Sequence, residues 1–517
     1  MSGKATWDVW RARHSDLLHG GFFFVFFVVA SIAGTSDLPL LSDNQHYFFI
    51  AERAASGVPP HVSQFDPKNA LGMLISAGAI DAGRLLGMSD LVASRMVSIV
   101  AGALAVALTW PLARRLTGGT IASWVASFAM LSLNRFVLMA AMGSQPKVFL
   151  VLFLVSSILF VASRRHVAGG VAAGAAFLCW QPAAALVVAG TLALLFGGAG
   201  KRRAATFLIA ALAPLVVYEG YFVYHGVLAE QLWQAFLFPS QFMEKPPAGI
   251  RPVLRRAGWV LGASQGLTFW SVVPLLFVLW LARFWAGWWR RSSLVAREFD
   301  GRPDRIYFAL AAHAALASCL ISYQGFPDRF FLDPFMAVAA GWLFAITLAR
   351  GGYRCSDTRA QTSVALAAVL GLVTLTISGH WDFRRIAGLS EQQRLGAAVG
   401  RLIDGGFSVY AVGCTHLLAF NHVDNFTSFG FFFRGVPEYL QVSTGGRGYR
   451  PLRDGAPPDV ILVSRGTYLK EQPWFEQEYV HAKRDDFGNQ SVEVWLRVRR
   501  GRGAVSSDSP GISTAAP

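Results

Sequence analysis

The sequence predicts a polytopic α-helical membrane protein with a small C-terminal α/β domain outside the cytoplasm. Three observations support this fold class. Of the 517 residues, 54% are hydrophobic and only 15% are charged, which is outside the range of soluble globular proteins. Long apolar runs, such as Gly21–Ala33 and Ile99–Leu112, recur along the chain up to Gly379. After Gly379 the composition changes to that of a mixed α/β segment.

Helices that cross a bilayer need about 20 predominantly apolar residues. On this criterion we expect about eleven spans, of which the fifth and sixth are short and are joined at Trp180-Gln181-Pro182. The predicted spans are Gly21–Asp37, Leu91–Ala113, Thr120–Ala141, Val148–Ser163, Val167–Cys179, Ala183–Phe196, Ala204–Tyr224, Gly266–Trp288, Ile306–Tyr323, Pro334–Ala349 and Thr362–Gly379.

The net charge of +15 is distributed in short arginine-rich clusters between apolar runs and forms no continuous basic face, which argues against nucleic-acid binding. Such clusters mark cytoplasmic ends of spans. They are Arg114-Arg115, Arg164-Arg165, Lys201-Arg202-Arg203, Arg290-Arg291 and the segment from Arg350 to Arg359. With an N-terminus in the cytoplasm and an odd number of spans, the C-terminal segment lies on the outer side.

Two long loops are expected on that outer side, at about 37–90 and from His225 to Gln265. In the first loop, Ser42-x-x-Gln45 resembles a capping box, and Gly57-Val58-Pro59-Pro60 is typical of a helix end. Tyr47, Ile50 and Ala51 recur at helical spacing between them. We expect a short amphipathic helix lying at the membrane interface.

The C-terminal segment alternates helix and strand patterns. Arg394–Ile403 has a helical pattern that ends at Asp404-Gly405-Gly406, and strands are expected at Phe407–Val412, Val460–Val463 and Ser491–Val498. The predicted organisation is a transmembrane catalytic domain at 1–380, an extracytoplasmic α/β domain at 381–500 and a disordered tail at 501–517. The four cysteines are far apart and lack metal-ligand spacing.

Asp43 is the first candidate for chemistry, because ionisable groups near a membrane are costly and are functional candidates by default. A carboxylate at this boundary could serve as a general base toward an acceptor hydroxyl or amine. The alternative is an acid in the first turn of a helix, stabilised by the helix dipole.

Asp66-Pro67-Lys68 ends the same loop, directly before the apolar run Leu71–Ile75. Pro67 stiffens the chain between a carboxylate and an ammonium group, and a lysine at the membrane surface suits a phosphate as a point charge. The alternative is an interfacial lysine that snorkels to lipid headgroups.

A third dense region runs from Tyr323-Gln324 through Arg329 to Pro334 in a short outer loop. Arginine binds phosphate in bidentate fashion, and the phenylalanines on either side could pack on a lipid chain. The alternative is an aromatic belt with one interfacial arginine.

The second outer turn, Gln145-Pro146-Lys147, could supply a polar wall, although a helix-start proline followed by a snorkelling lysine explains it as well. Gly413-Cys414-Thr415-His416 lacks a glycine-rich phosphate loop and is interpreted as an ordinary turn. The sequence shows no zinc, haem, nucleotide or Ser–His–Asp signature.

The order of these motifs resembles the GT-C superfamily of integral-membrane glycosyltransferases, in particular the branch of protein mannosyltransferases and lipid A aminoarabinose transferases. The resemblance is carried by Asp43-Asn44-Gln45-His46-Tyr47 leading into Glu52-Arg53, then by Gly57, by Phe65-Asp66-Pro67-Lys68, by Arg95 and Arg114-Arg115, and by Phe330-Phe331-Leu332-x-Pro334. It extends from about Gly20 to Gly379.

The resemblance implies a transferase that moves a sugar from a polyprenyl-phosphate donor to a lipid, glycan or protein acceptor on the outer face of the membrane. It implies that Asp43 is the catalytic acid of the first loop, with Asp66 as a possible second carboxylate, and that Lys68 and Arg329 contact the donor phosphate. We expect His46, Tyr47, Gln145, Lys147, Tyr323 and Gln324 to line the substrate pocket.

Two departures from the family pattern affect the expected chemistry. The usual acidic neighbour of the first aspartate is Asn44, and the usual Pro-Pro after the lysine is Asn69-Ala70. The missing acid argues against a metal-bound donor phosphate, so we predict no cofactor, while a divalent metal stays open. A transporter or flippase for a lipid-linked glycan and a non-catalytic scaffold are the alternative functions. A bacterial inner membrane is the expected location.

Overall fold

A computed structural model describes residues 3–33, 37–41, 43–243, 249–261, 272–289, 301–322, 326–350, 388–446, 449–464, 467–487 and 490–498. Within these ranges the molecule is mostly helical, with one small sheet in the C-terminal segment.

The helices of the N-terminal part follow one another with short connections. They are α1 (Gly3–Ala33), α2 (Asp43–Ala55), α3 (Leu71–Leu85), α4 (Asp90–Thr117), α5 (Thr120–Leu131), α6 (Asn134–Met142), α7 (Pro146–Ala162), α8 (His166–Cys179), α9 (Ala184–Phe196), α10 (Lys201–Tyr224), α11 (Leu228–Leu232), α12 (Phe238–Phe242), α13 (Ile250–Leu261), α14 (Val272–Trp289), α15 (Pro303–Ser322) and α16 (Asp333–Arg350). A π-helical turn, Trp233–Leu237, joins α11 to α12, and 3₁₀ turns lie at Gln181–Ala183 and Phe326–Phe331.

The apolar helices pack into one hydrophobic core. Helix α1 packs on α4, α8 packs between α7 and α10, and α16 packs on α5. The core includes aromatic side chains from distant parts of the chain, such as Phe27, Trp110, Phe149 and Phe335. Close packing of this kind is consistent with the high content of alanine and glycine in α8.

In the part of the chain that the structure describes, the predicted spans up to Pro334–Ala349 fall on helices, one of them on two helices, but the number of spans is not confirmed. Within the described residues, four helices are long and apolar enough to cross a membrane, or five if one bent pair is a single span. That pair corrects the predicted span Thr120–Ala141, which is interrupted after Leu131 into two helices bent by 58°. Helices α8 and α9 and the turn Gln181–Ala183 between them lie where the short fifth and sixth spans and their junction are predicted, and whether they cross a membrane stays a prediction. Thr362–Gly379 lies outside the described residues.

The predicted helix of the first outer loop is present, but it does not lie on a surface. Helix α2 buries every side chain from Asn44 to Arg53, including polar and charged ones. It packs against α3 and against the C-terminal segment. The amphipathic interfacial helix expected from the sequence is therefore corrected to a buried helix. It ends near Gly57, whose φ of +89° favours glycine.

The C-terminal segment contains α17 (Leu389–Asp404), β1 (Val409–Val412), α18 (His416–Ala419), α19 (Val436–Ser443), β2 (Val460–Val463), α20 (Thr467–Lys470), α21 (Phe475–Glu478), β3 (Tyr479–Phe487) and β4 (Gln490–Arg497). The strand order is β1-β2-β4-β3, with β1 and β2 parallel and the other pairs antiparallel. The predicted strands and helix are found, whereas β3 was not predicted. The predicted domain boundaries and the outer location remain predictions.

The two central strands explain how the sheet joins the rest of the chain. Strands β1 and β2 are buried on both faces, as expected for short, continuously apolar strands. One face, with Val409 and Val460, packs with Phe48 and Phe49 of α2. The other face, with Tyr410 and Ile461, belongs to a cluster that includes Phe65 and Phe238. Both outer loops therefore contact the sheet.

Candidate functional site

Asp43 stands at the start of α2, where the free N–H groups of a helix favour a carboxylate. The Asp43 side chain is 33% exposed. The next residue fixes the helix end: Asn44 Nδ2 donates to the Gly143 carbonyl at 2.9 Å, and Gln145 Nε2 donates to Asn44 Oδ1 at 3.1 Å. The turn before α7 therefore holds the first turn of α2 in place.

Lys68 reaches Asp43 from the other end of the first outer loop. Lys68 Nζ donates to the Tyr47 hydroxyl at 2.5 Å and lies 3.6 Å from Asp43 Oδ2. The Tyr47 hydroxyl in turn donates to Asp43 Oδ2 at 3.5 Å. Asp43 and Tyr47 are four residues apart on α2 and therefore share one face of the helix. The three side chains form a mutually bonded group.

Asp66 is buried behind Lys68 and holds the loop that carries it. Its carboxylate accepts hydrogen bonds from His46 Nε2 at 3.2 Å and from the Lys68 amide at 3.1 Å. Its own amide donates to Gln234 Oε1 at 3.1 Å, and Gln234 also bonds the backbone of His61. Only 1% of the Asp66 surface is exposed, so in this structure its geometry is that of a residue that positions the loop carrying Lys68.

Two buried ion pairs lie along the predicted phosphate-binding loop. The Lys147 ammonium bonds the Asp328 carboxylate, and it also lies 4.7 Å from the centre of the Trp180 ring. Arg329 Nε donates to Asp333 Oδ1 at 3.0 Å. The interpretation of Lys147 as a snorkelling lysine is therefore wrong, because its side chain is buried in an ion pair. Tyr323 and Gln324 lie outside the described residues.

The charges around Asp43 determine its ionisation. Burial alone would raise the pKa of the Asp43 carboxyl, but the nearby positive charges of Lys68 and Lys147 outweigh it and hold the pKa below its usual value. Burial would likewise lower the pKa of Lys68, whereas Tyr47, Asp43 and Asp66 raise it above the usual lysine value. At neutral pH the site therefore holds a carboxylate next to an ammonium group.

The structure brings together residues that sequence reasoning did not select. His61 and Gln234 support Asp66, and Phe433 of the C-terminal segment lies over Lys68, with 5.2 Å between Nζ and the ring centre. The run Phe431-Phe432-Phe433 was a visible signal in the sequence. Nothing in the local pattern, however, indicates that this run lies next to Lys68, which is far earlier in the chain.

A separate group of potential metal ligands lies where α2, α4 and the C-terminal segment meet. Ligand atoms of Glu52, Asp90 and His422 lie within 4.8 Å of one another, beside a cavity of about 560 Å³. Arg84 donates to both carboxylates, at 3.1 Å to Glu52 and 2.7 Å to Asp90. Because the guanidinium already balances one charge and fixes both acids, this group is described as an ion-pair network.

The chain is similar to known proteins in sequence and in structure. A family profile described as DolP-mannose mannosyltransferase matches residues 61–216. No curated protein matches the sequence significantly.

Solved structures give a likeness over most of the chain. ArnT from Cupriavidus metallidurans in the apo state aligns with a TM-score of 0.57 at 16% identity, over 94% of this chain and 98% of that chain. Its complex with undecaprenyl phosphate aligns with a TM-score of 0.56 at 16% identity, over 92% and 97%. The oligosaccharyltransferase AglB from Archaeoglobus fulgidus, with an inhibitory peptide and a dolichol-phosphate, aligns with a TM-score of 0.51 at 11% identity, over 88% and 70%.

These structures are GT-C superfamily members, and at this identity they establish architecture. The chain therefore shares the fold of these GT-C structures, as the resemblance found in the sequence implies, and the mannosyltransferase profile matches residues 61–216 of it.

Proposed function

We propose that the protein is a membrane glycosyltransferase that moves a sugar from a polyprenyl-phosphate donor to a lipid, glycan or protein acceptor on the outer face of a bacterial inner membrane. The observation that carries this proposal is the contact of the Lys68 ammonium with Tyr47 and Asp43, at 2.5 and 3.6 Å. A carboxylate and a phosphate-binding cation within one small group are what direct displacement at a sugar phosphate needs.

In the proposed reaction, Asp43 accepts the proton of the acceptor hydroxyl or amine as that group attacks the anomeric carbon. The bond from the anomeric carbon to the phosphate oxygen breaks, and polyprenyl phosphate leaves with the bonding electrons. A new bond forms from the anomeric carbon to the acceptor. A single displacement of this kind inverts the configuration at the anomeric carbon.

The cations of the site stabilise the charge that develops on the leaving phosphate. Lys68 is the cation nearest to Asp43. A bound phosphate would pair with the Lys68 ammonium and so weaken its attraction to the Asp43 carboxylate. That shift would make Asp43 a stronger base when the donor is present, because Lys68 is a main cause of its low pKa. Arg329 is oriented by Asp333, and in the proposed role its remaining N–H groups face the phosphate.

The donor class is supported by the similar proteins. The ArnT structure holds undecaprenyl phosphate and the AglB complex holds a dolichol-phosphate, both polyprenyl phosphates. The matching family profile is described as DolP-mannose mannosyltransferase, which names a dolichyl-phosphate-linked mannose as the donor. We therefore propose mannose as the first sugar to test and aminoarabinose as the second. In this proposal Asp43 is catalytic, Asp66 positions Lys68, and His46, Tyr47, Gln145 and Lys147 line the pocket.

The test is release of polyprenyl phosphate from labelled polyprenyl-phosphate sugars by the purified full chain in detergent. We expect Asp43→Asn to abolish release while the protein is produced and folds normally. Asp81→Asn is the matched control, since the Asp81 carboxylate is 58% exposed on α3. Full activity of Asp43→Asn would refute the base assignment. Movement of a lipid-linked glycan across vesicles without any release would instead establish the transporter.

A further inference from the structure

The C-terminal segment inserts two aromatic rings into the candidate site. Phe433 lies with its ring centre 5.2 Å from Lys68 Nζ and 5.1 Å from the ring centre of His46. Phe431 lies 5.4 Å from the His46 ring and 4.7 Å from the Phe433 ring. Both rings are half-buried, so they border the site without closing it completely.

Hydrogen bonds at Asn425 and Ser428 fix the segment that leads to these rings. Asn425 bonds both backbone groups of Ala411 in β1, each at 2.9 Å. The Phe65 amide donates to the Ser428 carbonyl at 2.7 Å, which joins this chain to the loop that carries Lys68. At Gly430 a Cβ atom would lie 2.4 Å from Asn425 Nδ2 and 2.7 Å from Gln64 Oε1, so a larger residue would have to displace these side chains.

Lys68 thus has aromatic rings on two sides. Its ammonium lies 5.1 Å from the Tyr47 ring centre and 5.2 Å from that of Phe433, both within the range of cation–π attraction. A ring stabilises a cation without neutralising it, whereas a carboxylate in the same place would cancel the charge. The two rings hold the ammonium in position without adding a second negative charge to that of Asp43, whose carboxylate lies 3.6 Å away.

We propose that Phe433 is a positioning residue for Lys68 and that the C-terminal segment thereby completes the site for the donor phosphate. The proposal deepens the glycosyltransferase function and rests on it. It assigns the C-terminal segment a part in binding the donor, in addition to any part in binding the acceptor. The ligand is the phosphate group of a polyprenyl phosphate.

The first experiment measures binding of a polyprenyl phosphate to the full chain in detergent. Phe433→Leu keeps the apolar volume and removes the ring, whereas Phe433→Trp keeps a ring. We expect Phe433→Leu to weaken binding about tenfold and Phe433→Trp to retain most of it. Phe432→Leu is the matched control, because the Phe432 ring packs on Tyr468, 5.3 Å away between centres, and has no contact with Lys68 among the residues described.

The second experiment needs no donor and measures the reactivity of the Lys68 amine. Acylation of the Lys68 amine by an anhydride is followed by mass spectrometry across pH. Loss of the ring destabilises the protonated form, so Phe433→Leu should speed acylation about fivefold while Phe432→Leu leaves it unchanged. A folded Phe433→Leu protein with wild-type acylation, or equal effects of both variants, would overturn the positioning role.

The two measurements separate this inference from the proposed function. If the wild type binds no polyprenyl phosphate, the donor assignment and the phosphate part of this inference are both refuted. Faster acylation in Phe433→Leu would then still establish the contact between the C-terminal segment and Lys68. If binding weakens in Phe433→Leu alone, both proposals are supported.

Discussion

The hydroxyl of Tyr47 accepts a hydrogen bond from Lys68 Nζ at 2.5 Å and donates one to Asp43 Oδ2 at 3.5 Å. A phenol can do both at once, and burial raises the pKa of Tyr47, which keeps the phenol neutral. The tyrosine therefore connects the proposed base to the proposed phosphate ligand.

Tyr47→Phe tests this connection. The ring contact with Lys68 is retained while the hydroxyl is lost, so Lys68 keeps its place but loses one hydrogen bond. We expect kcat/KM to fall about tenfold, which corresponds to one hydrogen bond to a charged group. Steady-state turnover of the donor measures it. Tyr224→Phe, at a side chain that is 85% exposed, should have no effect. A Tyr47→Phe enzyme with wild-type kcat/KM would rule out a part for the hydroxyl.

The pH dependence of kcat/KM follows from the charges around Asp43. The base must be ionised to act, so activity falls as pH decreases through its pKa in the free enzyme. Because Lys68 and Lys147 hold that pKa below the usual aspartate value, kcat/KM should be independent of Asp43 ionisation from about pH 5 upward.

Removing a positive charge should shift this profile in a defined direction. A cation near a carboxylate favours the charged form, so Lys147→Met should raise the pKa of Asp43 and move the acid limb to higher pH. A profile recorded from pH 3.5 to 8 would show the shift. A shift of the acid limb to lower pH would contradict the assignment of Asp43 as the titrating base.

The ion pair of Lys147 and Asp328 should contribute strongly to stability. Both side chains are buried, with 8% and 7% exposed. Lys147→Met removes the ammonium group that pairs with the buried Asp328 carboxylate, and breaking a buried ion pair typically costs about 3 to 5 kcal/mol of the free energy of unfolding. Thermal unfolding in detergent would show the loss, and Asp328→Asn in the same chain should recover part of it.

The surface pair of Lys483 and Asp485 is the control for that measurement. Lys483 is 45% exposed and Asp485 is 28% exposed, with 2.7 Å between their charged atoms. Pairs of this kind contribute at most about 1 kcal/mol. Equal destabilisation by Lys147→Met and Lys483→Met would show that burial of the first pair does not determine its contribution.

The sequence predicted the elements of this fold better than their contacts. Apolar periodicity located the helices, because burial in a bilayer or a core requires it, and it also located β1 and β2. The family resemblance alone implied roles for Asp43 and Lys68, and their contact was not predicted. The pair of Lys147 and Asp328 joins residues 181 apart, and the arrival of Phe433 at Lys68 depends on how the sheet packs. Local patterns carry no information about such distant contacts.

The burial of α2 was missed for a related reason. Its sequence holds Asn44, Gln45, Glu52 and Arg53 and has the composition of a surface helix. The structure buries these side chains because each finds a partner outside the helix or near its ends, as Glu52 does with Arg84 and His422. Buried polar groups need such partners, and those of Glu52 come from α3 and the C-terminal segment, whereas those of Asn44 come from the turn before α7. Polarity alone therefore predicted the wrong environment.

The contact of α3 with α7 offers a final prediction with a control on the same helix. Gly72 lies in the first turn of α3, four residues after Lys68, and a Cβ atom there would come within 2.6 Å of the Pro146 Cα at the start of α7. A methyl group at this position must push the two helices apart, because the obstructing atom is backbone. We expect Gly72→Ala to destabilise the protein by about 1 to 3 kcal/mol and to lower donor turnover, since α3 and α7 follow Lys68 and Gln145 directly.

Gly78→Ala is the matched control in the interior of α3. A Cβ atom at Gly78 meets nothing within 4 Å, so the substitution should stabilise the helix by up to about 1 kcal/mol and leave turnover unchanged. Unfolding temperatures in detergent and donor turnover would be compared for both variants. Opposite changes in stability are expected from the same chemical substitution, because only one of the two glycines touches a neighbouring backbone. If Gly72→Ala were as stable and active as Gly78→Ala, close approach of α3 to Pro146 would have no part in shaping the site.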